Sequence, residues 1–295
     1  MLFRSDVAAG GNVERLSLAL PSSGRTVYVD NVRDVDVQGG GNLRLRAGGD
    51  LVGGDIVLGR GSATVEAAGR VGATNEGLQL WVQGLNGING LQVQTRIEVS
   101  GGDGATLQSV NNPTALYESK MRAAEGAPDP SLGTSGFGAS FFTYGADTAV
   151  AVQAKAGDTV YAYQAAAARS ADSSTAAVVQ GVAAVLPPQF QLAALGGDVG
   201  VAARVDGLPT PTLFPSTQST LQLLAQGTLS PFKLYVSDLE PSVVVSPLAP
   251  ITSQGNAFSS GRALLGGGTA AAEGDRKSTR LNSSHEWISR MPSSA

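Results

Sequence analysis

The feature that most constrains this chain is a nine-residue pattern that recurs between Val35 and Val71. It runs apolar, polar, apolar, polar, small, any residue, glycine, polar, apolar, and the segments 35–43, 43–51 and 63–71 follow it. Alternation with a period of two places the apolar side chains on one face of a short strand. The glycine, often next to Asn or Asp, predicts a sharp corner, because these residues tolerate the positive φ that a corner requires.

The segment 152–160 matches the pattern closely, the segments 191–199 and 221–229 give two further turns, and Gly49 and Gly69 stand 20 residues apart. A turn of that size is typical of a β-solenoid. Ordering it costs about 30 kcal/mol at about 1.5 kcal/mol per residue, while burying about six aliphatic side chains returns about 1.5 to 3 kcal/mol each. One turn alone is therefore unstable, and we expect an all-β fold in which neighbouring turns stack.

The predicted corner residues are glycines of these steps and the acidic residues that follow them. They are Gly10, Gly11, Gly40, Gly41, Gly48, Gly49, Asp50, Gly54, Asp55, Gly69, Gly157, Asp158, Gly196, Gly197, Asp198 and Gly227.

The pattern divides the chain into segments. We expect β-helix turns in residues 1–111, an irregular insertion in 112–140, further turns with Ala-rich and Pro-rich excursions in 141–251, and a flexible Gly/Ala linker in 252–274. The first residues contain no signal-peptide core, and repeats begin almost at once, so we expect an internal fragment of a longer protein.

Residues 275–295 differ from everything before them. They are polar and aperiodic, and they hold the only histidine and one of the two tryptophans. This segment resembles a translated sequencing adapter, so we interpret it as a non-native tail and exclude it from the fold.

Composition excludes several classes of function. The chain has no cysteine, and no histidine outside the tail, so Ser-His-Asp and Cys-His catalysis and the usual zinc sites are not expected. A net charge of −4 argues against a nucleic-acid or anionic-membrane partner. Glycine at 39 residues and aromatic residues at 5% fit a chain with many corners. We predict no cofactor, no metal and no catalytic residue.

Carboxylate chemistry is the remaining catalytic possibility. Acidic and basic residues of the first repeats would form a patch if they projected into one groove, as in the β-helical enzymes that cleave polysaccharides. The set is Asp34, Asp36, Asp50, Asp55, Arg44, Arg46 and Arg60. We favour a purely structural interpretation. In it Asp50 and Asp55 are corner residues, and Asp36, Arg44 and Arg46 are the outward-facing residues of alternating strands.

Three further motifs have a plain structural explanation. Residues 101–104, Gly-Gly-Asp-Gly, resemble a calcium-binding repeat but occur once, so we predict a turn. Residues 39–41 are three glycines with no helix or lysine after them, and therefore no phosphate loop. Trp81 is predicted to pack in the core or at a strand edge, with an exposed carbohydrate-stacking ring as the alternative.

Several segments resemble the filamentous haemagglutinin family of large bacterial exoproteins. They are Ala47–Leu51, Phe142–Tyr144 leading into 150–158, Leu213–Ser216 followed by Leu221–Ala225, and Tyr235–Ser242 ahead of Pro247–Pro250. The resemblance implies a right-handed parallel β-helix and export by two-partner secretion through an outer-membrane transporter. It also implies a protein that is secreted or displayed on the bacterial cell surface and binds a host-cell glycan or protein receptor.

The sequence therefore predicts a non-catalytic segment of an adhesin shaft, with a β-helical polysaccharide lyase or glycosidase as one alternative. The shaft of a contact-dependent toxin delivery protein is a third possibility, which only a C-terminal module would distinguish.

Overall fold

The computed structural model describes residues 3–30, 32–73, 76–82, 85–86, 92–93, 95–111, 144–162, 185–201, 211–214, 216, 218–231 and 234–236. This part of the chain is all-β and contains no helix. Its strands are β1 (Phe3–Ala9), β2 (Val13–Glu14), β3 (Ser17–Leu20), β4 (Ser22–Val29), β5 (Val32–Gly39), β6 (Gly41–Ala47), β7 (Leu51–Val52), β8 (Asp55–Leu58), β9 (Gly61–Ala67), β10 (Arg70–Val71), β11 (Leu78–Val82), β12 (Leu85–Asn86), β13 (Gln92–Val93), β14 (Thr95–Gly101), β15 (Gly104–Asn111), β16 (Ala149–Ala154), β17 (Thr159–Tyr161), β18 (Val185–Leu186), β19 (Gln189–Ala194), β20 (Val199–Val201), β21 (Thr212–Leu213), β22 (Thr220–Ala225) and β23 (Tyr235–Val236).

The longer strands form a sheet of seven parallel strands, which we call the first sheet. Its order is β1-β6-β9-β14-β16-β19-β22, which is also their order along the chain. Each of these strands begins one layer of the fold, so the described part has seven layers. One column of partners in register runs through all of them: Val7, Leu45, Val65, Val99, Val152, Leu192 and Leu223.

The second sheet collects the strands that follow each corner. Its order is β2-β7-β10-β15-β11-β8-β3, and β17 and β20 extend it from β15. The sheet is curled because the first three layers each contribute two short strands, whereas β15 alone pairs with both β10 and β11. The predicted all-β class is thus confirmed as parallel strands in curled sheets.

The core lies between the sheets and is built from alternate residues of each strand. In β6, Leu43, Leu45 and Ala47 are buried while Arg44 and Arg46 are exposed, as the alternation predicted. Since the partners in register are also apolar, burial repeats from layer to layer. Two edge-to-face ring pairs add to the later layers, Tyr144 with Phe214 and Tyr161 with Phe190.

Two predicted strands pair with each other and not with the stacked turns. We expected 26–29 and 35–37 to belong to stacked turns, but β4 and β5 pair antiparallel as a hairpin between β3 and β6. The reason is local: Val29 pairs with Val32, which leaves a two-residue loop starting at Asp30, whose φ is +50°. An Asp-Asn loop flanked by β-formers favours such a hairpin.

The predicted insertion at 112–140 lies outside the described residues, as do the Ala-rich excursion around 163–184, the linker at 252–274 and the tail at 275–295. The described strands of the 141–251 segment are β16 to β23.

Candidate functional site

The described residues of the hypothetical carboxylate patch lie at separate places on the fold. Arg44 and Arg46 lie on the exposed face of the first sheet. Asp50 lies at the corner after β6, and Arg60 donates from Nε to the carbonyl of Gly39 at 2.7 Å. Asp55 begins β8 directly after the bend at Gly53 and Gly54, and it is buried.

Asp55 instead has a structural partner, since its Oδ2 accepts a hydrogen bond from Ser17 Oγ at 3.0 Å in the preceding layer. Asp34 and Asp36 belong to β5 of the hairpin, and their side chains fall outside what the structure describes. Arg44 and Arg46 lie on one face, as alternate exposed residues of β6.

The exposed face of the first sheet carries charges that pair with one another. Arg46 Nε lies 3.5 Å from Glu66 Oε2 in the next layer, and Arg96 Nε lies 2.7 Å from Glu98 Oε1 on the same strand. All four side chains are about half exposed, so each pair contributes about 0 to 1 kcal/mol. This arrangement fits a solvated surface better than a reaction centre.

The best-organised polar feature is a ladder of side chains along the corners after the first sheet, which we call the corner ladder. Its acceptors are Asn12 Oδ1, Asp50 Oδ1, Asp158 Oδ1 and Asp198 Oδ1. Each accepts a hydrogen bond from a backbone N–H one layer further along, at Asp50, Arg70, Asp198 and Thr228 respectively, over 2.6 to 2.9 Å. Four of the six steps between the described layers carry such a cap.

The ladder explains why glycine precedes the capped residue. A Cβ added at Gly49 would overlap Asn12 Oδ1, and one at Gly69 or Gly227 would overlap Asp50 Oδ1 or Asp198 Oδ1. The side chain that caps one layer therefore passes through the space that a Cβ would fill in the next.

This finding corrects the reason that we gave for the corner glycines. Gly40, Gly54 and Gly157 do have positive φ, of +79°, +102° and +78°. Gly49 and Gly69 do not, and neither do the remaining predicted corner glycines: Gly10, Gly11, Gly41, Gly48, Gly196, Gly197 and Gly227. At Gly49 and Gly69 close approach of the preceding layer, and not backbone conformation, requires glycine.

Two further residues, which the sequence pattern did not predict, also cap the next layer. Ser22 Oγ accepts from Arg60 N at 2.8 Å, and Asn42 Oδ1 accepts from Ser62 N and Ser62 Oγ, both at 3.1 Å. Both follow the same rule, because Gly59 and Gly61 directly precede the capped residues. A polar residue one layer before a glycine is the signal that would have identified them.

The other predicted motifs are structural. Gly101 ends β14 and Gly104 begins β15, so residues 101–104 form a corner. Trp81 lies in β11 and is only 9% exposed, so its ring is buried, although it does not belong to the core cluster that contains its neighbours Leu80 and Val82. Within the described ranges, no group of three or more acidic or histidine side chains is placed to hold a metal ion.

Two ionisable groups among the described residues have perturbed pKa values. A 2.6 Å hydrogen bond and the charge of Glu76 raise the pKa of the exposed Arg15 guanidinium. Burial raises the pKa of the Tyr144 phenol, because the interior disfavours the phenolate. Neither group lies near a second catalytic candidate.

Comparison with known proteins gave no match to a protein family, to a curated protein or to a solved structure. Among the described residues, no helix is long and apolar enough to cross a membrane. The function is therefore argued from the layers, their corners and their exposed face.

Proposed function

We propose that this chain is a non-catalytic segment of the shaft of a secreted or surface-displayed bacterial adhesin like filamentous haemagglutinin. In this proposal the seven layers are turns of a right-handed parallel β-helix, so the segment is a rod. The parent protein would leave the cell through an outer-membrane transporter of the two-partner secretion type and bind a host-cell glycan or protein receptor.

The observation that carries the proposal is the unbroken register of the first sheet. Each of its strands pairs in parallel with the next strand of the same sheet along the chain, and between each such pair the chain contributes at least one strand to the second sheet. Such a chain advances by one strand spacing, about 4.8 Å, per layer. Insertions change the number of residues per layer without breaking the register, as in the step from Val99 to Val152.

The polar groups also fit a structural role. The corner ladder uses Asp and Asn side chains to hold adjacent layers together, and the charges on the outer face pair with their neighbours. Catalytic carboxylates need an open groove and a second acid or base within reach. The polysaccharide lyase or glycosidase is thus the weaker reading.

A repeat deletion tests the rod. The step from Leu43 to Ala63 is 20 residues, so removing 48–67 joins Ala47 to Ala68 and takes out one whole layer. We expect this variant to keep its β-sheet circular dichroism and cooperative melting, and to become shorter by about 5 Å in X-ray scattering. Removing only 48–57 is the matched control, because it leaves half a layer and should abolish folding.

Surface display is tested separately. An antibody against the chain should label intact cells of the source bacterium, and inactivating the outer-membrane transporter should abolish that labelling. Labelling only after permeabilisation would refute the location. Release of unsaturated products from an acidic polysaccharide by the purified chain would instead establish the lyase.

A further inference from the structure

The connections at the two edges of the layers differ greatly in length. At the edge that carries the corner ladder, the chain passes from the first sheet to the second through short corners, and the longest have four residues, 155–158 and 195–198. At the other edge the chain returns from the second sheet to the next strand of the first sheet. The connections there are 21–40, 59–60, 83–94, 112–148, 162–188 and 202–219, two of which include the short strands β18 and β21. We call this side the insertion edge.

The register shows that these connections begin side by side. Gly41, the first residue of β6, pairs with Phe3, and Thr95, the first residue of β14, pairs with Gly61. The connections therefore leave the layers on one side of the fold. In stacked-repeat proteins, insertions of different length that gather on one face often mark the binding face, because a rigid scaffold positions variable loops. The corner edge has no such variation, since side chains of one layer cap the next there.

The best-described insertion is the hairpin of β4 and β5, and its base is fixed to the layers. Arg60 donates from N to Ser22 Oγ at 2.8 Å and from Nε to the Gly39 carbonyl at 2.7 Å, so one residue holds both strands. Gly40 N donates to the Pro21 carbonyl at 2.8 Å and closes the base. The hairpin therefore leaves the layers in a set direction.

Each strand of the hairpin has one edge that pairs with no strand in the described part of the chain. The hairpin lies between two layers, so these edges are not ends of the stack. Along an antiparallel ladder, hydrogen-bonded pairs alternate with non-hydrogen-bonded pairs. Since Pro21 and Gly40 form a bonded pair, the register makes Thr26 and Val35 a non-bonded pair. Their N–H and carbonyl groups therefore point outward, one set along each free edge.

An outward row of backbone donors and acceptors is complementary to the backbone of another extended polypeptide. Strand addition is a recurring mode of peptide recognition. A hairpin of two strands is also marginally stable in water, and a third strand stabilises it.

We propose that the hairpin of β4 and β5 is a receptor contact on the insertion edge, and that it takes an extended segment of a host-cell protein as a third strand. This inference rests on the proposed adhesin function. It favours a protein receptor over a glycan, because a sugar chain cannot continue the backbone ladder.

Binding of the fluorescently labelled full chain to cultured epithelial cells, measured by flow cytometry, tests the inference. We expect trypsin treatment of the cells to abolish binding and periodate oxidation of their glycans to leave it intact. Thr26→Pro and Val35→Pro each remove one outward N–H, at edge positions that tolerate proline. The variant on the edge that receives the receptor should bind about tenfold or more weakly, because a hydrogen bond is lost and the ring obstructs the added strand. Its melting temperature should equal that of the parent chain, since the hairpin stands outside the stacked layers.

Thr26→Ala and Val35→Ala are the matched controls, because they change the same side chains and keep the N–H. Binding weakened by one of the prolines and by neither alanine supports the inference. Binding lost after periodate and not after trypsin, binding weakened equally by alanine and proline, or binding insensitive to both prolines would overturn it and leave the adhesin shaft standing. Absence of binding by the parent chain would overturn it as well, and would also count against adhesion by this segment.

Discussion

The corner ladder makes a quantitative prediction at Gly69. An added Cβ would lie closer than 3.0 Å to Asp50 Oδ1, so the carboxylate must rotate away and release the N–H of Arg70, which it now binds at 2.7 Å. Losing this partly exposed hydrogen bond costs about 1 kcal/mol. Residual crowding against the displaced Asp50 side chain adds about 1 to 2 kcal/mol. We expect Gly69→Ala to lower the free energy of unfolding by about 2 to 3 kcal/mol in total.

The double variant separates close approach from other effects of alanine. In Asp50→Ala the hydrogen bond is already lost, at a cost of about 1 kcal/mol, and the space beside Gly69 is vacant. Adding Gly69→Ala to that background should not lower the free energy of unfolding further. Alanine can even raise it by about 0.4 to 1 kcal/mol, because it reduces the conformational entropy of the unfolded chain. The two substitutions should therefore be coupled by about 2 to 3 kcal/mol.

The assay is urea unfolding followed by circular dichroism at low protein concentration. Gly11→Ala is the matched control, because Gly11 occupies the same corner position in the first layer and has open space around it. It should change stability by less than about 0.5 kcal/mol. Additive costs for Asp50→Ala and Gly69→Ala, or an equal cost for Gly11→Ala, would refute the explanation of the corner glycines.

Three further predictions concern the core. Thr148 Oγ1 is buried with no hydrogen-bond partner in the described part of the chain, whereas Thr159 Oγ1 donates to the Ala193 carbonyl at 2.6 Å. In thermal unfolding, Thr148→Val should therefore raise the free energy of unfolding by about 1 kcal/mol, and Thr159→Val should lower it by about 1 to 2 kcal/mol. Equal effects of the two substitutions would contradict this prediction. Burial raises the pKa of Tyr144 above its value in the unfolded chain. The contribution of this phenol to the free energy of unfolding is therefore complete below pH 10 and falls by about 1.4 kcal/mol per pH unit above it. Tyr144→Phe should flatten stability curves in that alkaline range, and an unchanged slope would refute the assignment. Leu45→Ala should cost about 2 to 5 kcal/mol in urea unfolding and Leu224→Ala much less, since Leu45 is 1% exposed and Leu224 is 44% exposed.

The sequence was most informative where one layer follows another without interruption. Alternation correctly assigned Leu43 and Leu45 to the core, and the spacing of 20 residues between Gly49 and Gly69 is the register step from Leu43 to Ala63. Elsewhere the step varies, and it reaches 38 residues from Val7 to Leu45 and 53 from Val99 to Val152. Insertions of different length hide such partners, because local spacing carries no information about which distant strand is adjacent.

The errors have two physical causes. Alternating residues look alike in a hairpin strand and in a stacked strand, so β5 was assigned to a layer although the loop at Asp30 turns it back on β4. A glycine required by positive φ and a glycine required by a neighbouring side chain are also identical in sequence. At Gly69 the neighbour is Asp50, which is identified only when the register of the layers is known.

The central claim, that the strands of the first sheet stack in parallel register, is tested most directly by disulfide formation in a chain that has no cysteine of its own. Arg46 and Glu66 are partners in register on the exposed face, and adjacent strands lie about 4.8 Å apart, within the range that a disulfide spans. Arg46→Cys with Glu66→Cys should therefore oxidise rapidly and almost completely under mild conditions. Arg44→Cys with Glu66→Cys places the thiols on the same face but two residues out of register, about 8 Å apart, and should stay reduced. Equal oxidation of the two pairs, or a reduced Arg46→Cys/Glu66→Cys pair in the folded protein, would contradict the stacked register.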